Sequence, residues 1–391
     1  MKDRGEDEEA PRYKWVVLIV SLLAFVAFAY GFQIAPPLIP YILREFGISN
    51  TQAGLLMSFV LIPGILLSLP VILIIDRYGA KYIVLLSLLS TILGSALSGI
   101  ADSYLTILAG RFTLGVGGAI IMTATPTIIS QWFTKKELGK AMGIFSVNMP
   151  LATIVALPTA SSFSQTFGWR FLFYVSTVLG AVITVAFAIA FREGPLGKEK
   201  KAIGLRQAFS SVEIWKSGVI WLFFQASMLS FVTWLPTLLI KFQNVPILQA
   251  GLMTSLLSWT ALIFVPLYGF ASDRLGKRKL FIVAGSALMS LAFIAVSLNS
   301  GPLLLASIIA LGISSAMIPP NIQTLPSEIL EPSLANVGFG VMTITGNIGP
   351  ILAPPLVGYI LDATNSFFYT IATLSIIAVA GTVFGIYLKT R

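Results

Sequence analysis

Long apolar blocks, separated by short polar interruptions, make up almost the whole chain. Each block approaches the roughly 20 residues that cross a bilayer as a helix. In order they predict twelve spans, near 15–40, 52–75, 82–101, 106–130, 140–163, 170–191, 214–238, 249–271, 280–299, 302–326, 336–360 and 366–388. No block shows the strict apolar/polar alternation of an outer-membrane β-strand. The expected fold is all-α and integral to the membrane. The first block follows a hydrophilic stretch, residues 1–14, and continues well past the short core of a signal peptide, with Pro36-Pro37 near its end. It reads as a retained span.

Composition agrees with the pattern. Of 391 residues, 56% are hydrophobic and 10% are charged, against roughly 25% charged in an ordinary soluble chain. Too few polar groups exist to cover a water-soluble globule of this size. Soluble enzyme folds and nucleic-acid binding are excluded. Cysteine and histidine are both absent. That removes disulfides, thiol nucleophiles and Cys/His zinc sites, and any proton coupling has to run through carboxylates. No cofactor or metal is expected.

The net charge of +9 changes meaning once placed on the spans. With the N-terminus inside, the inner segments hold 21 Lys and Arg against 13 acids, and the outer loops hold three of each. The outer bases are Arg44, Arg170 and Lys241, which leaves Arg111. This is a positive-inside distribution, and it predicts a multi-pass protein of the cell membrane with both termini in the cytoplasm. The single long polar break, residues 192–213, carries Gly194-Pro195 and Lys198-Glu199-Lys200-Lys201. It divides the chain into a tail (1–14), a first six-helix bundle (15–191), the linker (192–213) and a second bundle (214–391).

The two halves align on one another at a constant offset of 197 residues. Gln52-Ala53-Gly54-Leu55 falls on Gln249-Ala250-Gly251-Leu252, Asp76-Arg77 and Gly79 on Asp273-Arg274 and Gly276, Gly143 on Gly340, and Pro158 on Pro355. One offset, near half the chain length, indicates a duplicated six-helix unit. Parallel repeats of this kind are one architecture of secondary transporters.

At these positions the chain resembles the major facilitator superfamily. Gly269-Phe270-Ala271-Ser272-Asp273-Arg274-Leu275-Gly276-Lys277-Arg278-Lys279 is similar to the family's loop signature. The first half repeats it as Asp76-Arg77-Tyr78-Gly79-Ala80-Lys81, with Ile72 where the leading glycine stands and Ala80 where a base is usual. Arg111-Phe112-Thr113-Leu114-Gly115 and Gln131-Trp132-Phe133-Thr134-Lys135-Lys136-Glu137 resemble the family as well. The resemblance implies twelve helices in two six-helix repeats and alternating access of a central path lined by the first, fourth, seventh and tenth spans. It also implies that Asp76, Arg77, Gly79, Asp273, Arg274 and Gly276 form a cytoplasmic gate. An acid at a helix end can hold basic groups or a helix N-terminus, and the glycine allows the tight turn.

Arg111 lies about five residues into the fourth span, roughly 8 Å along the helix. Intramembrane charges are costly and point to function. Its repeat mate is Ile308. Two readings stand: a stem that snorkels to the interface, or a charge facing the cavity or its polar lining. In the resembled family the corresponding arginine is linked to proton coupling through the first span, where Tyr30 and Gln33 stand. Further cavity candidates are Asn148, Gln225, Trp259, Asn321 and Asn347. Buried amides need partners, so each either joins helices or meets substrate. Trp15, Trp132, Trp169 and Trp215 read as interfacial anchors.

These features predict a transporter and not an enzyme. It would move a small organic anion or polar neutral metabolite as a monomer, by symport or uniport. The coupling ion, a proton or another, stays open, and the reachable carboxylates are Asp76, Asp273, Glu328 and Asp362. A cation carrier should offer a deep carboxylate, and none is seen. The alternative is an exporter of lipophilic neutral compounds. The fifth span, with Asn148-Met149-Pro150 and Leu157-Pro158-Thr159, departs from the antiporter pattern and counts against drug/proton exchange. A channel or an intramembrane enzyme is remote, because neither a filter signature nor catalytic carboxylates at depth appear. A phosphate-binding ATPase loop is also missing.

Overall fold

The computed structural model describes residues 6–194, 211–330 and 335–388. Sixteen helices cover nearly all of these residues, and among them there is no strand. In chain order they are α1 (Glu6–Gln33), α2 (Ala35–Phe46), α3 (Asn50–Tyr78), α4 (Ala80–Gly99), α5 (Tyr104–Trp132), α6 (Lys135–Phe145), α7 (Asn148–Phe167) and α8 (Trp169–Ala190). The second half continues with α9 (Val212–Gln243), α10 (Ile247–Leu275), α11 (Arg278–Leu298), α12 (Gly301–Ser315), α13 (Pro319–Ile322), α14 (Leu325–Ile329), α15 (Ala335–Thr364) and α16 (Phe367–Ile386). Twelve segments are long and apolar enough to cross a membrane, and each falls on one of the twelve sequence blocks.

Three of the twelve are broken, and proline explains each break. A proline has no N–H, so the carbonyl four residues earlier loses its helical partner. Pro36 and Pro37 free the carbonyls of Phe32 and Gln33, and α1 gives way to α2 at Ile34. Pro150 does the same at Ser146, where α6 ends, and Val147 N–H donates to Ile144 at 3.3 Å in a tighter turn. The sequence block 302–326 reads as continuous, but Pro319, Pro320 and Pro326 divide it into α12, α13 and α14. There Met317 and Ile318 N–H donate to Ser314 and Ser315, both at 3.2 Å. The intact helices end on local devices. Ser103 Oγ accepts from Thr106 N–H at 3.2 Å to start α5, and Asn244 adopts the left-handed conformation (φ 52°) to stop α9.

Contacts divide the described residues into two compact units that do not coincide with the halves. Unit 1 draws on Met1–Ile34, Phe59–Ala156 and Phe163–Glu199; unit 2 draws on Ala35–Ser58, Leu157–Ser162 and Lys200–Arg391. In unit 1, α4 packs on α5 and α8, and α1 on the same two helices. Glycines let α4 and α5 approach backbone to backbone: a Cβ on Gly94 would lie 2.7 Å from the Gly110 carbonyl. Hydroxyls then cross the gap, Ser87 to the Gly117 carbonyl (2.7 Å) and Ser90 to that of Thr113 (3.0 Å). In unit 2, α9 packs on α15 and α16, and α11 on α12 and α16. Trp234 is fully buried in this core and donates Nε1–H to the Pro354 carbonyl at 2.9 Å. The segments Ala35–Ser58 and Leu157–Ser162 come from the first half of the chain, and α2 packs on α9.

One anchor assignment is corrected. Trp169 is 4% exposed and meets Phe173 edge to face at 5.9 Å, so it is a packing residue and not an interfacial one. Trp215 remains exposed. Trp132 donates Nε1–H to the Arg192 carbonyl at 3.2 Å, just past the end of α8.

Candidate functional site

The break between α1 and α2 is where chemistry gathers in unit 1. Arg111 projects from α5 onto the last carbonyls of α1, of which that of Phe32 is freed by Pro36. One terminal nitrogen donates to Gly31 O at 2.8 Å, the other to Phe32 O at 3.1 Å, and the guanidinium lies 5.8 Å from the Phe32 ring centre. The side chain is fully buried, so the snorkelling reading fails. The physical logic is clear. Phe32 O has no helical donor because Pro36 stands four residues on, and the C-terminal end of α1 carries partial negative charge. A forked cation satisfies both demands.

The residues flanking those carbonyls are the first-span candidates Tyr30 and Gln33, both about 5% exposed. Gln33 Nε2 donates to Thr153 Oγ1 at 2.7 Å, and the Thr153 hydroxyl donates in turn to the Met149 carbonyl at 2.9 Å. Gln33 Oε1 is buried and takes no hydrogen bond among the described residues. Asn148 is buried at the start of α7, one residue before Met149. Three candidates from two spans, Tyr30, Gln33 and Arg111, thus meet at one broken helix, and Asn148 is next to Met149 in the chain. Thr153 was not among them. Its spacing, four residues after Met149 on the same helix, was the available signal.

In unit 2 the remaining candidates stay apart. Gln225 and Asn347 are half-buried on α9 and α15, and Trp259 is half exposed on α10. Asn321 is fully buried on α13. Its Nδ2 donates to the Met317 carbonyl at 2.8 Å and stitches the break before α13, while its Oδ1 takes no bond. Among the described residues no hydrogen bond joins any two of these four.

The basic loops are the second feature. Gly79 (φ 83°) and Gly276 (φ 61°) both take the positive φ that a side chain disfavours, as the tight-turn expectation requires. Arg278 bridges two acids, reaching Asp273 Oδ1 at 2.6 Å and pairing through Nε with Glu328 of α14. Arg274 is exposed in the last turn of α10. The side chains of Asp76 and Arg77, on α3, lie outside the described residues. A third tie binds the amphipathic α6. Lys14 pairs with Glu137 at 2.6 Å and lies over Phe133.

Among the described residues, twelve apolar segments of membrane-crossing length, a duplicated turn and one buried cation at a helix break are the marks of a polytopic membrane protein. The sequence profile of the Major Facilitator Superfamily matches residues 21–250 and 243–391. The chain belongs to the Major Facilitator Superfamily and is a multi-pass membrane transporter, not an enzyme. It is 26% identical over 384 residues to a protein of Cupriavidus necator named as a probable sulfoacetate transporter, covering 89% of this chain and 87% of that one. It is 24% identical over 387 residues to a protein of Thermus thermophilus named as a probable nitrate/nitrite antiporter, covering 89% and 84%. In fold it is similar to the crystal structure of a bacterial homologue of the human lysosomal transporter Spinster, in an inward-facing and unoccupied conformation. That match has a TM-score of 0.80 and 18% identity, and covers 96% of this chain and 95% of the other.

Proposed function

We propose that the protein carries a small organic anion across the cell membrane by alternating access, with both termini in the cytoplasm. One observation carries the substrate class. Among the described residues, Arg111 is the one charged side chain that is buried, and two backbone carbonyls of α1 are among its partners. Its positive charge sits at the α1 break, on the carbonyl of Phe32, and the next residue in the chain, Gln33, holds a buried acceptor. An anion approaching this polar region is attracted by the charge, whereas a cation meets no buried carboxylate among the described residues. Relatives named for sulfoacetate and for nitrate/nitrite support an anionic cargo, and the same relatives give an exporter of lipophilic neutral compounds no support.

The basic face of the loops supports the orientation. The Asp273–Arg278–Glu328 bridge supports a gating role for the loop that holds Asp273, Arg274 and Gly276. The repeat supports the same role for Asp76, Arg77 and Gly79. The direct test is ligand-induced stabilisation of the purified protein. Small sulfonates and hydroxydicarboxylates are compared with their neutral amide or alcohol counterparts, since a bound ligand raises apparent stability by mass action. Stabilisation by the anions alone is expected. Stabilisation by the neutral members alone would overturn the anion reading.

A further inference from the structure

At the end of the bundle opposite the basic loops, α3 and α15 form a close seam inside unit 2. A Cβ on Gly54 would come within 2.6 Å of the backbone of Pro354 and Pro355. One turn on, Ser58 Oγ donates to the Ile351 carbonyl at 2.5 Å, which Pro355 has deprived of its helical donor. Two turns past those prolines, Asp362 closes the seam. Its Oδ1 accepts from Asn50 N–H (2.9 Å) and Asn50 Nδ2 (2.6 Å), and its Oδ2 from Thr51 N–H (2.8 Å) and the Thr51 hydroxyl (2.7 Å). A carboxylate of the second half therefore sits on the N-terminus of a helix from the first half, 312 residues away in sequence.

The helix does not need this acid in order to start. Ser49 Oγ accepts from Gln52 N–H at 3.2 Å and Gln52 Oε1 accepts from Ser49 N–H at 2.9 Å, a reciprocal local cap. Asp362 adds a tie to an end that is already capped, and it does so at an exposed position where water can replace it.

The internal repeat shows that this tie is not part of the shared packing. The 197-residue offset puts Gly251 on Gly54 and Leu157-Pro158 on Pro354-Pro355. The related seam keeps the close approach: a Cβ on Gly251 would lie 2.8 Å from the Leu157 carbonyl. It lacks the polar lock, because the same register puts Gln165 in place of Asp362, and Ile247 and Leu248 in place of Asn50 and Thr51. The ionised tie belongs to one seam of the two. We propose that Asp362 is a releasable latch. It holds the start of α3 on the end of α15 in this conformation, and its release is a step of the transport cycle. The inference rests on the alternating-access reading above, and its test does not depend on the cargo.

The chain has no cysteine of its own, so two introduced cysteines can be spin-labelled without background. Arg44→Cys and Thr364→Cys, both at exposed positions in unit 2, report across the latch. Distances are measured by pulsed electron paramagnetic resonance on the full chain without substrate. The latched protein should give one dominant short distance. Asp362→Ala should raise the long-distance fraction at least threefold. Asp362→Asn, which keeps an acceptor and loses the charge, should give a smaller rise and carries the test if the alanine variant does not fold. Asp102→Asn, an exposed acid in the loop before α5, should match the parent. A long distance already dominant in the parent, an Asp362 distribution superimposable on it, or an equal shift from Asp102→Asn would each overturn the latch. None of these outcomes bears on which solute the protein carries.

Discussion

Replacing Arg111 separates its two jobs, holding α1 and supplying charge. Arg111→Gln removes a guanidinium that makes charged hydrogen bonds to Gly31 O and Phe32 O at 2.8 and 3.1 Å. Each such bond contributes about 1.5–3 kcal/mol net, and a buried acceptor left without a donor costs about 1–3 kcal/mol. Phe32 O is in that position because Pro36 has no N–H. Allowing for the one bond glutamine can restore, the expected loss is about 3 kcal/mol, comparable with breaking a buried ionic contact. Arg111→Lys keeps the charge and one bond, so about 1.5–3 kcal/mol should be lost. In a thermal-unfolding assay of the detergent-purified protein, the order should be parent, then lysine, then glutamine, with glutamine lower by roughly 5 °C.

Uptake kinetics should rank the same variants differently. At an effective dielectric of about 20 and a separation of about 8 Å, a unit charge attracts a monoanion by about 2 kcal/mol, or some 30-fold in affinity. Arg111→Lys should keep the apparent KM for an anion within about threefold, while Arg111→Gln should raise it by at least tenfold. A glutamine variant that melts with the parent would refute the role assigned to the two carbonyl bonds. A lysine variant whose KM rises as far as glutamine's would refute the charge role.

Other expectations follow from single contacts. Arg170→Gln removes a bond to the Ala101 carbonyl (2.6 Å) at a span end, and should change anion KM by less than twofold. Gly94→Ala forces apart α4 and α5, because the new Cβ meets the backbone of Gly110 and Leu114; a stability loss of about 1–3 kcal/mol should appear in the same melting assay. Trp234→Phe loses the bond to Pro354 O and, because phenyl is smaller than indole, leaves a cavity in a fully buried core, which together should cost about 2–4 kcal/mol. Arg278→Gln breaks a partly exposed bridge, so its stability effect should stay below about 1 kcal/mol. Its turnover rate in proteoliposomes should nevertheless change severalfold if the bridge gates the cycle.

The spans were legible because a bilayer demands about 20 apolar residues in a row, and nothing else in a chain this poor in charge produces twelve such runs. The break in the tenth span was not. Hydropathy does not register lost N–H groups, and Pro319, Pro320 and Pro326 sit within an otherwise apolar run. Arg111 stood out in the sequence because an intramembrane charge is costly. Its partners could not be read, since a backbone carbonyl carries no residue identity. The prolines that freed one of those carbonyls were visible, and the two signals together locate the contact. Trp169 was misjudged because position along a helix says nothing of which face it occupies, and it turned inward against Phe173. Asp362 was recognisable as an acid near a helix end. Its partners Asn50 and Thr51 lie in the other half of the sequence, so no local pattern joins them.

The central claim is an anionic cargo carried past Arg111. Counterflow in proteoliposomes loaded with an unlabelled small sulfonate or hydroxydicarboxylate, driven with the labelled compound outside, measures it most directly. The expected result is saturable accumulation that other small organic anions inhibit and their neutral counterparts do not, with Arg111→Lys retaining it and Arg111→Gln losing at least tenfold in KM. Accumulation inhibited equally by neutral and anionic members, or indifferent to the charge at position 111, would contradict the claim.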